Sequence, residues 1–189
     1  METQEITVKE HIIQTASRLF HEQGYNLTGI NQIIDEAGVA KASLYYHFPS
    51  KEDLCVAYLK RRNNIWLAGL DAFLKGIRDP KQKIIRTFDY RAQHLAKNHF
   101  GGCSYIKIIS EIPQRGEKID QQVILQKEKQ RNFFSELTGQ IEGTRKKAEV
   151  LADTIFLLFD GGTVQCQVYR DTAPIEAAKK AVIQLLREY

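Results

Sequence analysis

Lys41, Ala42, Ser43, Tyr45, Tyr46, His47 and Lys51 put two ammonium groups, a methyl, three hydroxyls and an imidazole into one short stretch. Nothing in that set is arranged to make or break a covalent bond. Across the chain, five histidines, three cysteines and the carboxylates show no H-x-x-x-H, paired-Glu or nucleophile-elbow spacing. The chemistry available is recognition: ammonium groups suit phosphate, phenol hydroxyls reach phosphate or base edges, and a tyrosine ring or an alanine methyl can meet a thymine methyl. Lys51 stands where a helix begins, so its ammonium and free backbone N–H groups can converge on one phosphate.

The elements that must position these groups surround them, from Thr28 to Lys51. Ile30, Ile33, Ile34 and Ala37 fall at helical spacing and predict a helix with one inward face. Thr28 precedes that run and is expected to cap it, with a phosphate contact added. Gly38 follows the last apolar position, where a helix end needs a residue tolerant of positive φ. Val39 then fills the angle before a second helix from about Ala40 to Phe48. Leu44 and Phe48 share one side of it, and adjacent helical positions diverge by about 100°, so at least one of Tyr45 and Tyr46 must face away. That pattern is a helix-turn-helix, its second helix shaped to enter a major groove.

The stretch DEAGVAKASLYYHFPSKEDL resembles the hallmark of TetR-type (TetR/AcrR) transcriptional regulators, and roughly Ile12 to Leu59 resembles that family's DNA-binding domain. The resemblance implies that Lys41, Ala42 and Ser43 form the base-reading start of the recognition helix, and that Tyr46 and His47 touch the DNA backbone. It also implies an effector cavity among the later helices. Beyond residue 60 only the number and length of helices resemble the family.

Composition agrees with a soluble globular protein: 43% hydrophobic, 26% charged, net charge +4. No run approaches the roughly 20 apolar residues of a membrane span, and METQEITVKEH lacks a signal peptide's apolar core. Cys55, Cys103 and Cys166 are scattered, which argues for a reducing cytoplasm and against a disulfide frame, a metal site or a cofactor. Residues 1–62 carry seven Lys/Arg against eight Asp/Glu, so bulk charge does not argue for DNA. Local placement must, with Lys41, Lys51 and Arg18 near phosphate and the acids turned away.

Taken in order, about nine helices with short links give an all-α chain. A helix from about Val8 to Gln23 closes the N-terminal three-helix unit. Ser50 caps a long helix that crosses Lys60-Arg61-Arg62-Asn63-Asn64 to about Arg78, and Asp79-Pro80 starts the next. Further helices cover about Cys103 to Ile112, Lys118 to Gln140, Thr144 to Arg170 and Pro174 to Tyr189. The expected domains are 1–52 for DNA binding and 53–189 for effector binding and dimerisation. Trp66, Phe88, His94, Cys103, Phe133, Phe134 and Phe159 are the candidates for an effector cavity, although aromatic residues at helical spacing also serve simply as core. Phe156, Gly161, Gly162, Val182, Leu185 and Leu186 are the candidates for a homodimer contact through the last two helices, with packing inside one chain as the alternative. Two recognition helices about 34 Å apart would then meet a pseudo-palindromic operator. The expected function is a repressor released from DNA by a small apolar or amphipathic effector. An all-α enzyme or carrier, or an activator without ligand control, is the alternative.

Overall fold

The computed structural model describes residues 6–112 and 116–189. Among them the chain forms nine α-helices, a closing 3-10 turn and no strand. In order these are α1 (Val8–Glu22), α2 (Ile30–Ala37), α3 (Lys41–His47), α4 (Lys51–Leu74), α5 (Pro80–Lys97), α6 (Ser104–Glu111), α7 (Glu117–Thr138), α8 (Arg145–Tyr169) and α9 (Ala173–Leu185). No helix among the described residues is long and apolar enough to cross a membrane.

Local chemistry sets most of the ends. Thr7 caps α1 by accepting from the Glu10 N–H, and the buried Ile12, Ala16, Leu19 and Phe20 are its inward stripe. Gly38 ends α2 at φ 60, and its N–H turns back to the carbonyls of Ile34 and Asp35. Ser50 accepts from the Asp53 N–H at 3.1 Å and donates to the Asp53 carboxylate at 2.7 Å, a reciprocal cap on α4. Asp79 accepts from the Lys81 N–H and Pro80 opens α5.

Helix α9 ends at Leu185, short of Tyr189, and the chain closes in a 3-10 turn over Leu186–Glu188. Three other ends differ from the sequence expectation. Helix α4 stops at Leu74, short of Arg78, because Gly76 takes φ 87 and turns the chain out of the helix. Thr144 stands at the start of α8, but its hydroxyl makes no capping bond. Thr28 does not cap α2: Gly29 holds that position, and the Thr28 hydroxyl donates instead to the Gly24 carbonyl at 2.6 Å.

The chain divides into two compact units. The first takes the chain up to Ile65 together with Ser104 to Val123; the second takes Trp66 to Cys103 and Ile124 to Tyr189. The sequence expectation put its boundary at 52/53, in the first turn of α4; the units divide further along that helix, and α6 with the first turns of α7 joins the N-terminal helices. In the first unit α1, α2 and α3 close over Ile12, Phe20, Ile33 and Leu44, and Tyr105 of α6 donates its hydroxyl to the Leu59 carbonyl at 2.9 Å. In the second, α5, α7, α8 and α9 enclose a core of Phe88, Phe134, Ile155, Phe159 and Val182, with Trp66 and Leu70 from the end of α4.

Gly162 lets α8 and α9 approach closely. A Cβ built there would lie 2.9 Å from Ile175 Cδ1 and 3.2 Å from Ile175 Cα, whereas one at Gly161 would meet nothing within 4 Å. Gly162→Val therefore should destabilise the chain by about 1–3 kcal/mol, read as a lower urea midpoint. Gly161→Ala should be neutral or raise the midpoint, by up to about 1 kcal/mol from helix propensity.

In the first unit His21 is half-buried near the end of α1, and Lys107 donates to its carbonyl at 2.9 Å. Burial, then the charges of Arg62 and Lys107, hold its pKa below the ordinary 6.5. The unfolded chain therefore takes up that proton at a higher pH than the folded chain, so this group costs no stability above about pH 6.5 and removes stability as pH falls below it. His21→Gln should lose less stability than the parent between about pH 7.5 and about pH 5.5, measured as urea midpoints at the two values.

Candidate nucleic-acid interface and ligand cleft

Helix α3 has seven residues, too few to hold itself, and its orientation comes from what it buries. Leu44 is 0% exposed and Phe48 3%, both turned into the first unit. On the other side Tyr46 is 84% exposed and Tyr45 41%, with Lys41 and Ala42 also in solvent. Ser43 and His47 are partly covered, and the His47 ring meets the Tyr46 ring edge-on with centroids 5.0 Å apart. The outer face thus offers one ammonium, one methyl, one hydroxyl, two phenols and an imidazole, with no carboxylate along the helix. That is a donor-rich face of the kind that duplex DNA takes.

Lys51 opens α4 beside that face and is half-buried. Its ammonium lies 4.2 Å from the centroid of the Tyr25 ring, and burial pulls its pKa down. Burial likewise pushes the Tyr25 phenol up to about 12 and the thiol of Cys55 to about 12. Two expectations need correction here. Thr28 is fully buried, and its hydroxyl, which also takes the Gln23 side-chain amide at 3.2 Å, is committed inside the α1–α2 turn. Arg18, expected near phosphate, is bonded to Glu22 and Glu36, both from its own unit.

Contacts that no local pattern could announce brace the same face. The Glu111 carboxylate, at the end of α6, accepts from the Tyr25 N–H at 2.6 Å and the Asn26 N–H at 3.2 Å. The Glu52 carboxylate accepts from the Lys118 and Ile119 N–H groups at 3.1 and 3.2 Å and so caps the start of α7. Lys118 returns the contact, its ammonium 2.7 Å from Asp53.

The second unit holds a small apolar cleft lined by Trp66, Leu67, Leu70, Phe133, Phe134 and Phe159, with Thr87, Gln126, Lys129 and Gln130 as its polar members. Of the expected effector residues, Trp66, Phe133, Phe134 and Phe159 line it. Phe88 lies outside the lining, its ring 5.3 Å from that of Phe159. His94 meets the Trp66 ring edge-on at 5.1 Å, and Cys103 is buried 4.0 Å from the Lys127 ammonium, which pairs with Asp160. Sequence reasoning missed Arg91, which is 5% exposed and stacks its guanidinium 3.7 Å from the Trp66 centroid. Its place in the run Ile84, Phe88, Arg91, Leu95 was the available signal.

The dimer candidates also divide. Gly162, Val182 and Leu186 are buried within the chain by the packing of α8 on α9, and Leu185 and Phe156 are partly covered. Gly162, Val182 and Leu186 are therefore core positions of the chain itself, while Phe156 and Leu185 keep part of their surface exposed. Gly161 is exposed, and with Val150, Leu157 and Val168 it makes an outward apolar stripe on α8.

Residues 12–58 match the family model described as bacterial regulatory proteins, tetR family. The whole chain is similar to the HTH-type transcriptional regulator LmrA of Bacillus subtilis, 24% identical over 181 residues that cover 95% of this chain and 96% of LmrA. Over 65 residues it is 45% identical to the HTH-type transcriptional regulator RutR of Escherichia coli, a stretch covering 34% of this chain and 31% of RutR. Its fold is shared with a TetR-family transcriptional regulator from Streptomyces coelicolor at a TM-score of 0.85, with 22% identity and 96% and 95% of the two chains covered.

Proposed function

The chain belongs to the TetR family of DNA-binding transcriptional regulators, and on that premise we propose that it is a homodimeric repressor released from its operator by a small apolar or amphipathic effector. The observation that carries this reading is the division of α3, with Leu44 and Phe48 inward and Lys41, Ala42, Tyr45 and Tyr46 outward. Lys41 to Ser43 read base edges, while Tyr46, His47 and Lys51 hold phosphates and fix register. Residues 1–52 act as the DNA-binding part and 53–189 as the effector and dimerisation part. The protein works in the cytoplasm, where its operator is.

The apolar cleft is the effector's place. It combines rings and aliphatic carbons with a few polar side chains, the usual make-up of a small-molecule site. An effector acts only through differential affinity for two states of the dimer, typically about 1–3 kcal/mol of coupling. Helix α4 runs from Lys51 to Leu74 and supplies Trp66, Leu67 and Leu70 to the cleft lining.

The second copy is proposed to lie on the outward stripe of α8. Val150, Leu157 and Val168 recur at helical spacing with exposed Gly161 between them, and apolar carbon in such a row is what two-fold packing would cover.

Selection of duplexes from a random pool should return a pseudo-palindrome, and binding to it should fall when the effector is added. Tyr46→Ala should weaken operator binding about tenfold or more, and Lys51→Ala should also lower the slope of log affinity against log salt by about 1. Both variants should remain dimers by sedimentation, and unchanged operator affinity in both would count against the interface. Leu157→Arg should sediment as a monomer with helical content intact. A dimer of unaltered affinity in that variant would remove α8 from the contact.

A further inference from the structure

The α6–α7 corner reaches back onto the DNA-binding helices through two carboxylates, and their partners are unusual. Among the described residues, the Glu111 carboxylate bonds backbone rather than another side chain. It takes two consecutive backbone N–H groups, those of Tyr25 and Asn26, while the Asn26 side-chain amide donates to the Glu111 carbonyl. Gly24 adopts φ 92, a backbone conformation that favours glycine, and a Cβ there would lie 2.8 Å from the Glu111 Oε2, so a larger residue would have to displace the carboxylate. The ring of Tyr25 is the surface on which the Lys51 ammonium rests, 4.2 Å from the centroid. Glu52, the residue after Lys51, is held by the Lys118 and Ile119 N–H groups. Lys51 therefore has one constraint on its side chain and another on its backbone, and both come from the corner.

The geometry points to Glu111 as a positioning residue for operator binding, one that fixes Tyr25 and through it the ammonium of Lys51 without touching DNA itself. This rests on the proposed phosphate contact of Lys51. An ammonium on a four-carbon stem samples many rotamers, and a lysine that must meet one phosphate loses that freedom on binding. A ring held by a charged acceptor on its own backbone N–H supplies a fixed platform, so the ordering is done before the duplex arrives. Removing the acceptor frees the α1–α2 turn, and the platform moves with it.

A purely structural brace and a positioning residue give different results. The test uses the full-length dimer and the duplex it selects from a random pool, with affinity measured across a range of salt. Glu111→Ala should bind about tenfold more weakly than the parent, with a salt slope lower by about 1, the signature of one lost phosphate contact. In Glu111→Ala/Lys51→Ala the two losses should not multiply, because both remove the same contact. Glu111→Gln keeps one acceptor oxygen and should fall between, which gives a folded variant if the alanine chain does not fold. Parental affinity and slope in Glu111→Gln, or losses that multiply in the double variant, would overturn the role of Glu111 while Lys51→Ala still weakened binding. A parent chain that selects no duplex, or a Lys51→Ala chain that binds as the parent does, would overturn the phosphate reading and the positioning role with it.

Discussion

A two-turn helix cannot keep its own shape in water, because nucleating it fixes several residues for few hydrogen bonds. Everything this chain can do with DNA depends on how that problem is solved for α3. Burial of Leu44 and Phe48 supplies the free energy, of order 1.5–3 kcal/mol for each large apolar side chain fully removed from water. The left-handed turn at Gly38 sets the angle from α2, and the Ser50 cap on α4 fixes where the chain leaves. With two anchors inside, the remaining positions have no freedom to choose a face. Tyr46 is outside because Leu44 is inside.

That logic explains why features acting on near neighbours were legible in the sequence and features set by distant packing were not. Gly38, Ser50 and Asp79-Pro80 act on neighbours within four residues, so their effect is written where it occurs. Thr28 misled because a threonine before an apolar run satisfies the rule for a cap, while the helix begins with Gly29 at the cap position and the Thr28 hydroxyl accepts from the Gln23 amide and donates to the Gly24 carbonyl. The pair Gly161-Gly162 was ambiguous for a related reason. Consecutive helical residues point about 100° apart, so one glycine meets α9 and its neighbour meets solvent. Nothing in the pair itself says which is which. Arg91 was hidden by its own type: an arginine on an apolar stripe reads as surface until Trp66 and Phe159 are seen to face its guanidinium. The grip of Glu111 on Tyr25 joins positions 86 apart and leaves no periodic trace.

The two units are not two segments of sequence. Helices α6 and the start of α7 lie with the DNA-binding helices, although α5 separates them from α4 along the chain. Helix α4 enters the second unit at Trp66, and α7 does so at Ile124. Two continuous helices therefore carry backbone from one unit to the other, and each supplies residues to the cleft: Trp66, Leu67 and Leu70 from α4, and Gln126, Gln130, Phe133 and Phe134 from α7. A helix resists bending far more than a loop does, since bending it strains hydrogen bonds along its length.

The ends of those connectors meet at adjacent residues. Lys51 and Glu52 begin α4, and Glu52 caps α7. Tying Glu52 to α7 does two things: it satisfies donors that a helix start leaves open, and it places negative charge on the positive end of a helix dipole. The near-neutral balance of the N-terminal residues, which gave no support for DNA when counted in bulk, is compatible with a donor-rich face because of this placement. Glu52, Asp53, Glu36 and Glu22 are each engaged within the first unit, while Lys41 stands on the outer face of α3 in solvent. Charge at the interface is decided by which carboxylates the fold has already occupied, and that is a property of packing that a count of residues does not contain.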